Sequence, residues 1–462
     1  MNQQPRRSYD RPQRSYDTSR PQSRRSYDAP GSQPRRDDRR ALSSQTARSR
    51  PAGRSRPAGR SQWEERRRQE EARREMLQRR REKEQESQEL AKGPIDLPFC
   101  LLVLLLTAVG LVMLLSASFP SAYYTTKENN PVYFFVRQGI FAVAGVAGMF
   151  FVGKFNYQRF RGAGKFLIYL SVFLLVLVII PGNPFAFTVK NATRWLGLSA
   201  SLRFQPSEIA KLAVVIYFAD SISKRKGQMR TFRYGILPYA MWLVLLGGLV
   251  GLEPHLSGAL LIMGTGAAMM LVGGINWAWI LGAVGAVGVM GYLVLFVIGY
   301  NTSRITSWLD PWADAQGSGW QLSQSLITIG SGGLWGAGLG KSMQKFMYLP
   351  EEHNDFIFAI VCEELGFIGA AVIMALFAAL ILRGYWIALH ARDRFGSLLV
   401  VGITTQMAMQ TILNIGVVTG LLPTTGISLP FFSYGGTALS IQLAEMGIVL
   451  SVSRQMRPAK AG

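Results

Sequence analysis

The stretch DLPFCLLVLLLTAVGLVMLLSAS, residues 96–118, is the first long apolar run in this chain of 462 residues. A run of roughly 20 apolar residues is long enough to cross the hydrocarbon core of a bilayer as a helix. Because apolar side chains are scarce before residue 97, we expect no secretory signal ahead of the run. The stretch therefore predicts a membrane protein whose first crossing begins near residue 96.

Further apolar runs of similar length follow along the rest of the chain. Together they predict an all-α polytopic membrane protein with about ten transmembrane helices. The longest segment between two runs, residues 300–354, separates the seventh helix from the eighth and is long enough to be functional. The predicted spans lie near 96–118, 132–152, 164–181, 206–223, 234–251, 256–273, 276–299, 356–382, 396–419 and 433–453.

The charge of the short loops predicts the orientation of these helices. The loops GKFNYQRFRGAGK, SKRKGQMRTFR and ALHARDRFG and the end SRQMRPAK are basic, whereas PSAYYTTKENNP and LLPTTGISLP are not. Because basic loops stay in the cytoplasm, both termini should be cytoplasmic and Tyr300–Asn354 extracytoplasmic. Cys100 and Cys362 fall inside spans, so we expect no external disulfide and no metal site from them.

A basic tail precedes the membrane domain. The chain holds 50 Lys and Arg against 28 Asp and Glu, and residues 1–93 alone hold 26 basic and 14 acidic residues. Repeats of RSYD and SRPAGR predict disorder over 1–61, and the charged, helix-forming composition of 62–92 predicts a solvated helix. This cytoplasmic tail, 1–92, leads into a membrane domain at 95–454 and a short cytoplasmic tail at 455–462. A basic excess also marks nucleic-acid binding, but it fits the cytoplasmic side of a membrane protein, so no nucleic-acid partner is predicted.

The segment YLPEEHNDFIFAIVCEELGFIG, Tyr348–Gly369, places acidic residues before and inside an apolar run. Asn354 is a good helix cap, so Asp355 is predicted in the first turn of a helix, where the positive helix end favours a carboxylate. Glu363 and Glu364 lie about 12–14 Å further along that helix, which favours packing hydrogen bonds or a buried polar network. The residues just before the helix either orient a substrate or form a solvated loop end: Glu351, Glu352 and His353.

Five other ionisable residues fall toward the same predicted side of the membrane: Arg137, Arg194, Arg203, Glu208 and Lys211. A span that starts at Pro206 puts Glu208 and Lys211 one turn apart near its beginning. Charges within a membrane bundle face its interior or a water-filled cavity. Taken one by one, the arginines could snorkel to the headgroups, and Glu208 with Lys211 could form an internal ion pair. Together with Asp355, they predict a site for an anionic, lipid-anchored substrate.

Five motifs follow one another between about Leu97 and Arg454: RFQPSEIAKLA, EPHLSGALLI, DPWADAQGSGWQLSQSLITIGSGGLWGAGLG, YLPEEHNDFIFAIVCEELGFIG and LLPTTGISLPFFSYGGTAL. In this order they resemble successive signatures of the SEDS family, the bacterial shape, elongation, division and sporulation proteins. The segment KFMYLPEEHNDFIF, the loop TGLLPTTG and the long tail are more similar to division members than to elongation members. The elongation and sporulation paralogues stay open as alternatives.

The resemblance implies a SEDS fold and an inverting peptidoglycan glycosyltransferase that polymerises lipid II at the outer face of the bacterial cytoplasmic membrane. It also implies a class B penicillin-binding protein and other division proteins as partners, at the division septum. The family's catalytic acid falls on Asp355. The family's substrate-contacting and supporting polar residues fall on Arg137, Arg194, Arg203, Glu208 and Lys211. His255 and Thr425 replace an Asp and a Lys of other members, which weakens a catalytic role for position 255 and indicates different activation through the loop.

Glycan extension requires a base for the acceptor hydroxyl and positive charge for the departing polyprenyl pyrophosphate. Asp355 is the candidate base, and the three arginines with Lys211 are candidates for the pyrophosphate. A divalent cation, Mg²⁺ or Mn²⁺, could share that charge, but no ligand set in the sequence predicts one, so no cofactor is firmly predicted. The main alternative is a lipid II flippase or another carrier. Carriers usually show broken helices, polar residues at mid-membrane and an internal repeat, whereas the polar cluster of this sequence falls toward one predicted side of the membrane.

Overall fold

The computed structural model describes residues 66–79, 93–126, 129–189, 192–197, 203–225, 227–253, 255–279 and 302–456, together with 281–282, 285 and 288. The predictions for the tail at 1–61, for most of the seventh span at 276–299 and for residues 457–462 lie outside these described residues. Within the predicted charged helix, residues 66–79 are helical and their side chains are exposed.

Helices account for most of the described membrane domain. Nine of the ten predicted spans coincide with helices in the described residues; the exception is the seventh span. Seven helices among these residues are long and apolar enough to cross a membrane, and Leu256–Val272 is a shorter apolar helix. The helices are α1 Leu97–Thr125, α2 Tyr133–Lys154, α3 Phe160–Ile179, α4 Pro206–Lys224, α5 Leu237–Leu252, α6 Leu256–Val272, α7 Thr302–Leu309, α8 Trp320–Ser331, α9 Ile357–His390, α10 Arg394–Val418 and α11 Gly436–Ser453.

The most buried of the seven apolar helices is α10, which packs against α4, α6, α9 and α11. Small residues permit the close approach of these helices. A Cβ added at Gly402 of α10 would lie only 2.6 Å from Cγ1 of Val215 on α4, so a larger residue would force the two helices apart. Because α10 lies between so many neighbours, polar side chains on it can reach several parts of the bundle.

A small antiparallel sheet follows α3 and was not predicted from the sequence. Its strands are β1 Ala186–Val189, β2 Ala192–Gly197 and β3 Arg203–Phe204, in the order β1-β2-β3. The cross-strand pair Thr188 and Thr193 shares a hydroxyl hydrogen bond of 2.7 Å. The all-α fold is therefore confirmed apart from this sheet, which the search for apolar runs was unable to detect.

The long helix α9 is broken at Gly366, where φ is 67° and ψ is −173°. The loop after α8 meets the break: the N–H of Ala337 donates to Glu363 O at 2.9 Å, and the N–H of Phe367 donates to Gly333 O at 2.9 Å. A Cβ at Gly366 would lie 2.3 Å from a backbone nitrogen of this loop, so only glycine permits the contact. The loop thus satisfies backbone groups that the break leaves without helical partners.

Glu363 and Glu364 form a buried polar network beside this break. Glu364 Oε1 lies 2.9 Å from Lys345 Nζ, and Ser116 of α1 donates to the same carboxylate at 2.6 Å. Ser342 donates its hydroxyl to Glu363. The prediction of a buried polar network is confirmed, and this network ties α1 and the loop before α9 to the start of α9.

A second polar cluster lies at the opposite end of the bundle. Asp96 caps α1 by accepting from the N–H of Phe99 at 3.0 Å and pairs with Arg383 of α9 through hydrogen bonds of 2.7 and 3.0 Å. Asp393 caps α10 by accepting from the N–H of Gly396 at 3.1 Å. These caps begin two apolar helices and join them to neighbouring elements.

Candidate active site

One cavity of about 560 Å³ lies at the end of the bundle where α4, α6 and α11 begin. The six residues predicted as site residues all line it: Arg137, Arg194, Arg203, Glu208, Lys211 and Asp355. They come from α2, β2, β3, α4 and the segment before α9, so the fold brings together residues that are far apart in sequence. This cavity is the candidate active site.

Asp355 lies in the turn before α9, not in the first turn of that helix. The helix begins at Ile357 with Phe356 in the cap position, and no side chain caps it. Asn354 does not cap the helix because its amide donates to Glu351 Oε2 at 2.7 Å. The prediction of a capped helix start was therefore wrong, and something other than a helix end must hold Asp355.

Three tertiary hydrogen bonds fix the backbone at Asp355. The carbonyl oxygens of residues 353, 354 and 355 accept bonds from Tyr434 N at 2.9 Å, Ser433 Oγ at 2.7 Å and Asn414 Nδ2 at 2.7 Å, respectively. The donors belong to α10 and to the segment before α11. Since three successive carbonyls are held, the packing of α9 to α11 determines where the carboxylate lies.

The small sheet presents Arg194 and Arg203 to the cavity. Arg194, on β2, donates from Nε to the backbone oxygen of Glu253 at 3.0 Å. Arg203, on β3, places its guanidinium carbon 5.2 Å from the centroid of the Trp195 ring. Both guanidinium groups are therefore oriented by the protein, which reduces the side-chain entropy lost when they bind an anion.

Arg194 lies close to charges of both signs. Burial and the charge of Arg304 lower the pKa of Arg194, whereas the charges of Asp355 and Glu253 oppose that change. An arginine side chain keeps its proton in proteins even when its pKa falls. Arg194 therefore contributes a fixed positive charge near the carboxylate of Asp355.

Glu208 and Lys211 form an ion pair at the start of α4, and both line the cavity. Lys211 Nζ lies 2.8 Å from Glu208 Oε2, with both side chains largely buried, and 3.5 Å from Gln410 Oε1 of α10. The prediction that Pro206 starts this helix is confirmed. The pair joins two elements as an internal ion pair would, and it also exposes charge to the cavity.

Arg137 and a group of aromatic rings form another part of the wall. Arg137 Nη1 donates to the hydroxyl of Tyr133, one turn earlier on α2, at 3.3 Å. The Phe134 ring stacks on His353 with centroids 4.7 Å apart and meets Tyr434 edge-on at 4.8 Å. This part of the cavity therefore offers apolar ring surface beside a cation.

Glu351, Glu352 and His353 also line the cavity. Glu352 is only 5% exposed, and its Oε1 lies 3.1 Å from His353 Nδ1. Of the two interpretations of this segment, the structure contradicts the solvated loop end. The segment belongs to the cavity wall.

The sequence interpretation missed Glu253 and set aside His255. Glu253 is 1% exposed, and within the described residues its carboxylate oxygens have no hydrogen-bond partner. Burial raises the pKa of Glu253 to about 8, against the opposing charge of Arg194. Burial, followed by the charges of Arg194 and Lys211, lowers the pKa of His255 to about 3, so its ring is neutral. His255 Nδ1 lies 3.1 Å from Gln205 Nε2. The sequence signal for Glu253 was an acidic residue just ahead of the span predicted to begin at residue 256.

The described residues offer no metal centre. No group of three or more His, Cys, Asp and Glu side chains within them is arranged to hold a metal ion. The cavity's lysine and three arginines provide positive charge without one. The divalent cation left open by the sequence therefore has no ligand set in this part of the chain.

Comparison with known proteins relates this cavity to a family. The sequence profile of the FtsW/RodA/SpoVE family, described as cell cycle protein, matches residues 97–458. Stage V sporulation protein E of Bacillus subtilis is 44% identical over 78% of this chain and 98% of its own length. Probable peptidoglycan glycosyltransferase FtsW of Geobacter metallireducens is 40% identical over 78% of this chain and 95% of its own length.

Solved structures share the fold as well. A chain from a peptidoglycan synthase complex aligns with a TM-score of 0.65 at 27% identity, over 78% of this chain and 98% of that chain. The rod shape determining protein RodA of Thermus thermophilus aligns with a TM-score of 0.59 at 27% identity, over 79% of this chain and 98% of its own. Both sequence and fold agree with the motifs, and the chain therefore belongs to the FtsW/RodA/SpoVE family of multi-pass membrane proteins, the SEDS family.

Proposed function

We propose that this chain is a peptidoglycan glycosyltransferase that polymerises lipid II into glycan strands, with the cavity as its active site. The observation that carries the proposal is that Asp355, whose backbone is held by three tertiary bonds, shares one cavity with four cationic side chains. Relatives named probable peptidoglycan glycosyltransferase and a structural neighbour from a peptidoglycan synthase complex support the same reaction.

Asp355 acts as the general base in this reaction. A sugar hydroxyl of one substrate attacks the anomeric carbon of the other and gives its proton to the Asp355 carboxylate. The new C–O bond forms as the bond from the anomeric carbon to the pyrophosphate oxygen breaks, and attack from the opposite side inverts the anomeric configuration. The polyprenyl pyrophosphate leaves with the bonding electron pair, so negative charge grows on the departing oxygen.

The cationic wall stabilises that departing group. Arg137, Arg194 and Arg203 offer forked N–H donors that match phosphate oxygens, and Lys211 adds a compact charge. Such charges reduce the barrier most when they are held in place before the reaction, because no reorganisation is then required. Glu208 maintains the position of Lys211 through their 2.8 Å ion pair.

The setting follows from the predicted topology. The cavity faces the outer side of the cytoplasmic membrane, where lipid II presents its sugars, and both termini lie in the cytoplasm. A class B penicillin-binding protein crosslinks the product, as polymerization and crosslinking are coordinated in the structural neighbour's complex. The chain works with other division proteins at the septum. A role in sporulation stays the alternative, because a sporulation protein is 44% identical to this chain.

A lipid II flippase is the second candidate, and the break in α9 is the observation that favours it. Carriers use broken helices to bind ions or substrates at mid-membrane. In this chain, however, backbone N–H groups of the loop after α8 occupy the carbonyls of Glu363 and Glu364 at the break. The break therefore serves the packing of that loop, and glycosyl transfer remains the better-supported function.

The two functions are separated by giving purified protein lipid II in vesicles, with and without a class B penicillin-binding protein. The enzyme forms glycan polymer and loses this activity in Asp355→Asn. Movement of lipid II between leaflets without polymer, equally fast in wild type and Asp355→Asn, would instead establish a carrier.

The predicted orientation is tested separately in intact cells with cysteines at Ser318 and Gln228. An impermeant thiol reagent should label position 318, once any outer barrier is opened, and should spare position 228. The reverse pattern would place the cavity on the cytoplasmic side and contradict the proposed reaction.

A further inference from the structure

Asn414, on α10, joins Asp355 to a second segment of the chain. Its Nδ2 donates to Asp355 O at 2.7 Å and to Ile427 O at 2.6 Å. The side chain is 1% exposed, so water does not compete for these bonds. Because both acceptors are carbonyl oxygens, the reversed amide would place oxygen against oxygen, and the orientation is therefore fixed.

The segment joined in this way forms the wall next to the Asp355 carboxylate. Gly426, Ile427 and Ser428 line the cavity, and Gly426 has φ of +68°. A Cβ added at Gly426 would lie 3.3 Å from Asp355 Oδ2, so the backbone passes close to the carboxylate. Any change in the distance between residues 355 and 427 would therefore change the space beside the base.

The preceding turn of α10 connects the same wall to the cationic side. Gln410 donates from Nε2 to Ser428 O at 3.0 Å, and its Oε1 lies 3.5 Å from Lys211 Nζ. Gln410 and Asn414 are four residues apart on one helix and so lie on one face. The helix α10 thus contacts the segment that carries Asp355, the wall formed by Gly426 to Ser428, and Lys211.

We infer that Asn414 is a positioning residue for Asp355, which sets the carboxylate relative to the wall at Gly426 to Ser428. It is not itself among the residues that line the cavity. The inference rests on the proposed function, because placement of Asp355 matters for the rate only if Asp355 takes the proton. A base must lie within hydrogen-bond reach of the hydroxyl, and a misplacement of about 1 Å can cost on the order of a hundredfold in rate.

The test compares substitutions at Asn414 in the purified full chain, with the partner present in every sample if activity requires it. Asn414→Asp keeps the shape but removes the N–H donors and sets a carboxyl oxygen against two carbonyls. Asn414→Ser keeps one donor, which can serve one of the two carbonyls. Thr411→Val is the matched control, because the buried Thr411 hydroxyl bonds within α10 to Met407 O at 2.9 Å.

Polymerisation of lipid II is measured as kcat and KM, beside the thermal unfolding midpoint of each variant. Asn414→Asp should lower kcat by about tenfold to a hundredfold with KM changed less than about twofold. Asn414→Ser should recover part of the loss, and Thr411→Val should match wild type in kcat. A kcat for Asn414→Asp within twofold of wild type overturns the inference. So does a loss of kcat that only follows a loss of folded protein, because Asn414 would then serve packing alone.

An Asp355→Asn sample separates this inference from the proposed function. If Asp355→Asn polymerises normally, the chain is still a polymerase, but Asp355 is not its base and the inference fails with that assignment. If the wild type and all variants form no polymer, the proposed function itself fails. If Asp355→Asn is inactive while both Asn414 variants keep full kcat, the base assignment stands and only the positioning role is wrong.

Discussion

Two carboxyl groups at opposite ends of the bundle, those of the half-buried Asp393 and the fully buried Glu253, have very different surroundings. Asp393 accepts hydrogen bonds from Tyr157 Oη at 2.6 Å, Arg161 Nη2 at 2.5 Å, Gln158 Nε2 at 3.2 Å and Gly396 N at 3.1 Å. Glu253, beside the cavity, has no hydrogen-bond partner for either carboxylate oxygen within the described residues. A buried carboxylate without partners is costly to a fold, whereas a fully bonded one is not.

The different surroundings of Asp393 and Glu253 distinguish charged groups that stabilise the fold from those that the fold keeps at a cost in stability. At the Asp393 end, the carboxylates cap helices and pair with arginines, so removing them should affect folding. At the cavity end, the charged groups that line the cavity face a space large enough for a ligand, so removing them should affect the reaction, whereas Glu253 lies beside the cavity without lining it. The predictions below test this division in order of their expected effect on the polymerisation rate.

Asp355→Asn should have the largest effect. The substitution keeps size and the backbone bonds but removes the proposed base, so kcat should fall by about a hundredfold or more. Polymer formed from saturating lipid II at matched protein concentration is the measurement. Lipid II binding and the thermal unfolding midpoint should stay close to wild type.

Glu351→Gln and Glu364→Gln are the controls for this prediction, because both lie in the same segment. Each should cost less in kcat than Asp355→Asn, although Glu364→Gln should lower stability through its lost pair with Lys345. A near-normal rate for Asp355→Asn would remove the base assignment and turn attention to Glu208 or Glu351.

A second test of this division replaces one arginine by lysine at each end of the helix bundle. Arg203→Lys keeps the charge but loses the forked donors and the contact with Trp195, so KM for lipid II should rise about tenfold. Arg383→Lys breaks the paired bonds to Asp96 and should lower the unfolding midpoint without changing KM. Equal effects of both substitutions on KM would show that the cavity arginines do not bind the substrate.

Much of the fold was predictable because membrane helices are encoded locally. A run of about 20 apolar residues specifies a crossing by itself, and nine of the ten predicted runs are helices in the described residues. The gathering of six charged residues in one cavity was also predictable. Charge in an apolar bundle has few places to lie other than its interior.

The features that the sequence did not reveal depend on contacts between distant segments. Asn354 has the composition of a helix cap, yet its side chain bonds Glu351, and the helix starts two residues later than the cap would place it. The break at Gly366 exists because a loop residue, Gly336, approaches it. Asn414 gave no signal at all, since its two acceptors are backbone oxygens that any residue type supplies.

Asp393→Asn should leave the rate nearly unchanged. The carboxylate lies at the end away from the cavity. Its loss weakens the bonds from Tyr157, in the turn before α3, and from Arg161, in the first turn of α3, which join these elements to the start of α10. We expect the free energy of unfolding to fall by about 1–3 kcal/mol, as for other hydrogen bonds to charged groups. Thermal unfolding with a parallel measurement of kcat checks this. A large loss of kcat in folded protein would show that the two ends are coupled.

Glu253→Gln should have the smallest effect on the rate and a characteristic effect on stability. Burial raises the pKa of Glu253 to about 8 in the folded chain, from 4.5 in its absence, so the folded protein holds this proton more tightly than the unfolded chain. The wild type should therefore lose stability as pH rises from about 4.5 to about 8, while glutamine has no proton to release. The unfolding midpoints of the two proteins should be similar near pH 4.5, diverge in favour of Glu253→Gln up to about pH 8, and differ by a constant amount above it. A difference that does not change with pH, or one that favours wild type at high pH, would mean that the Glu253 carboxylate finds a partner in the working protein.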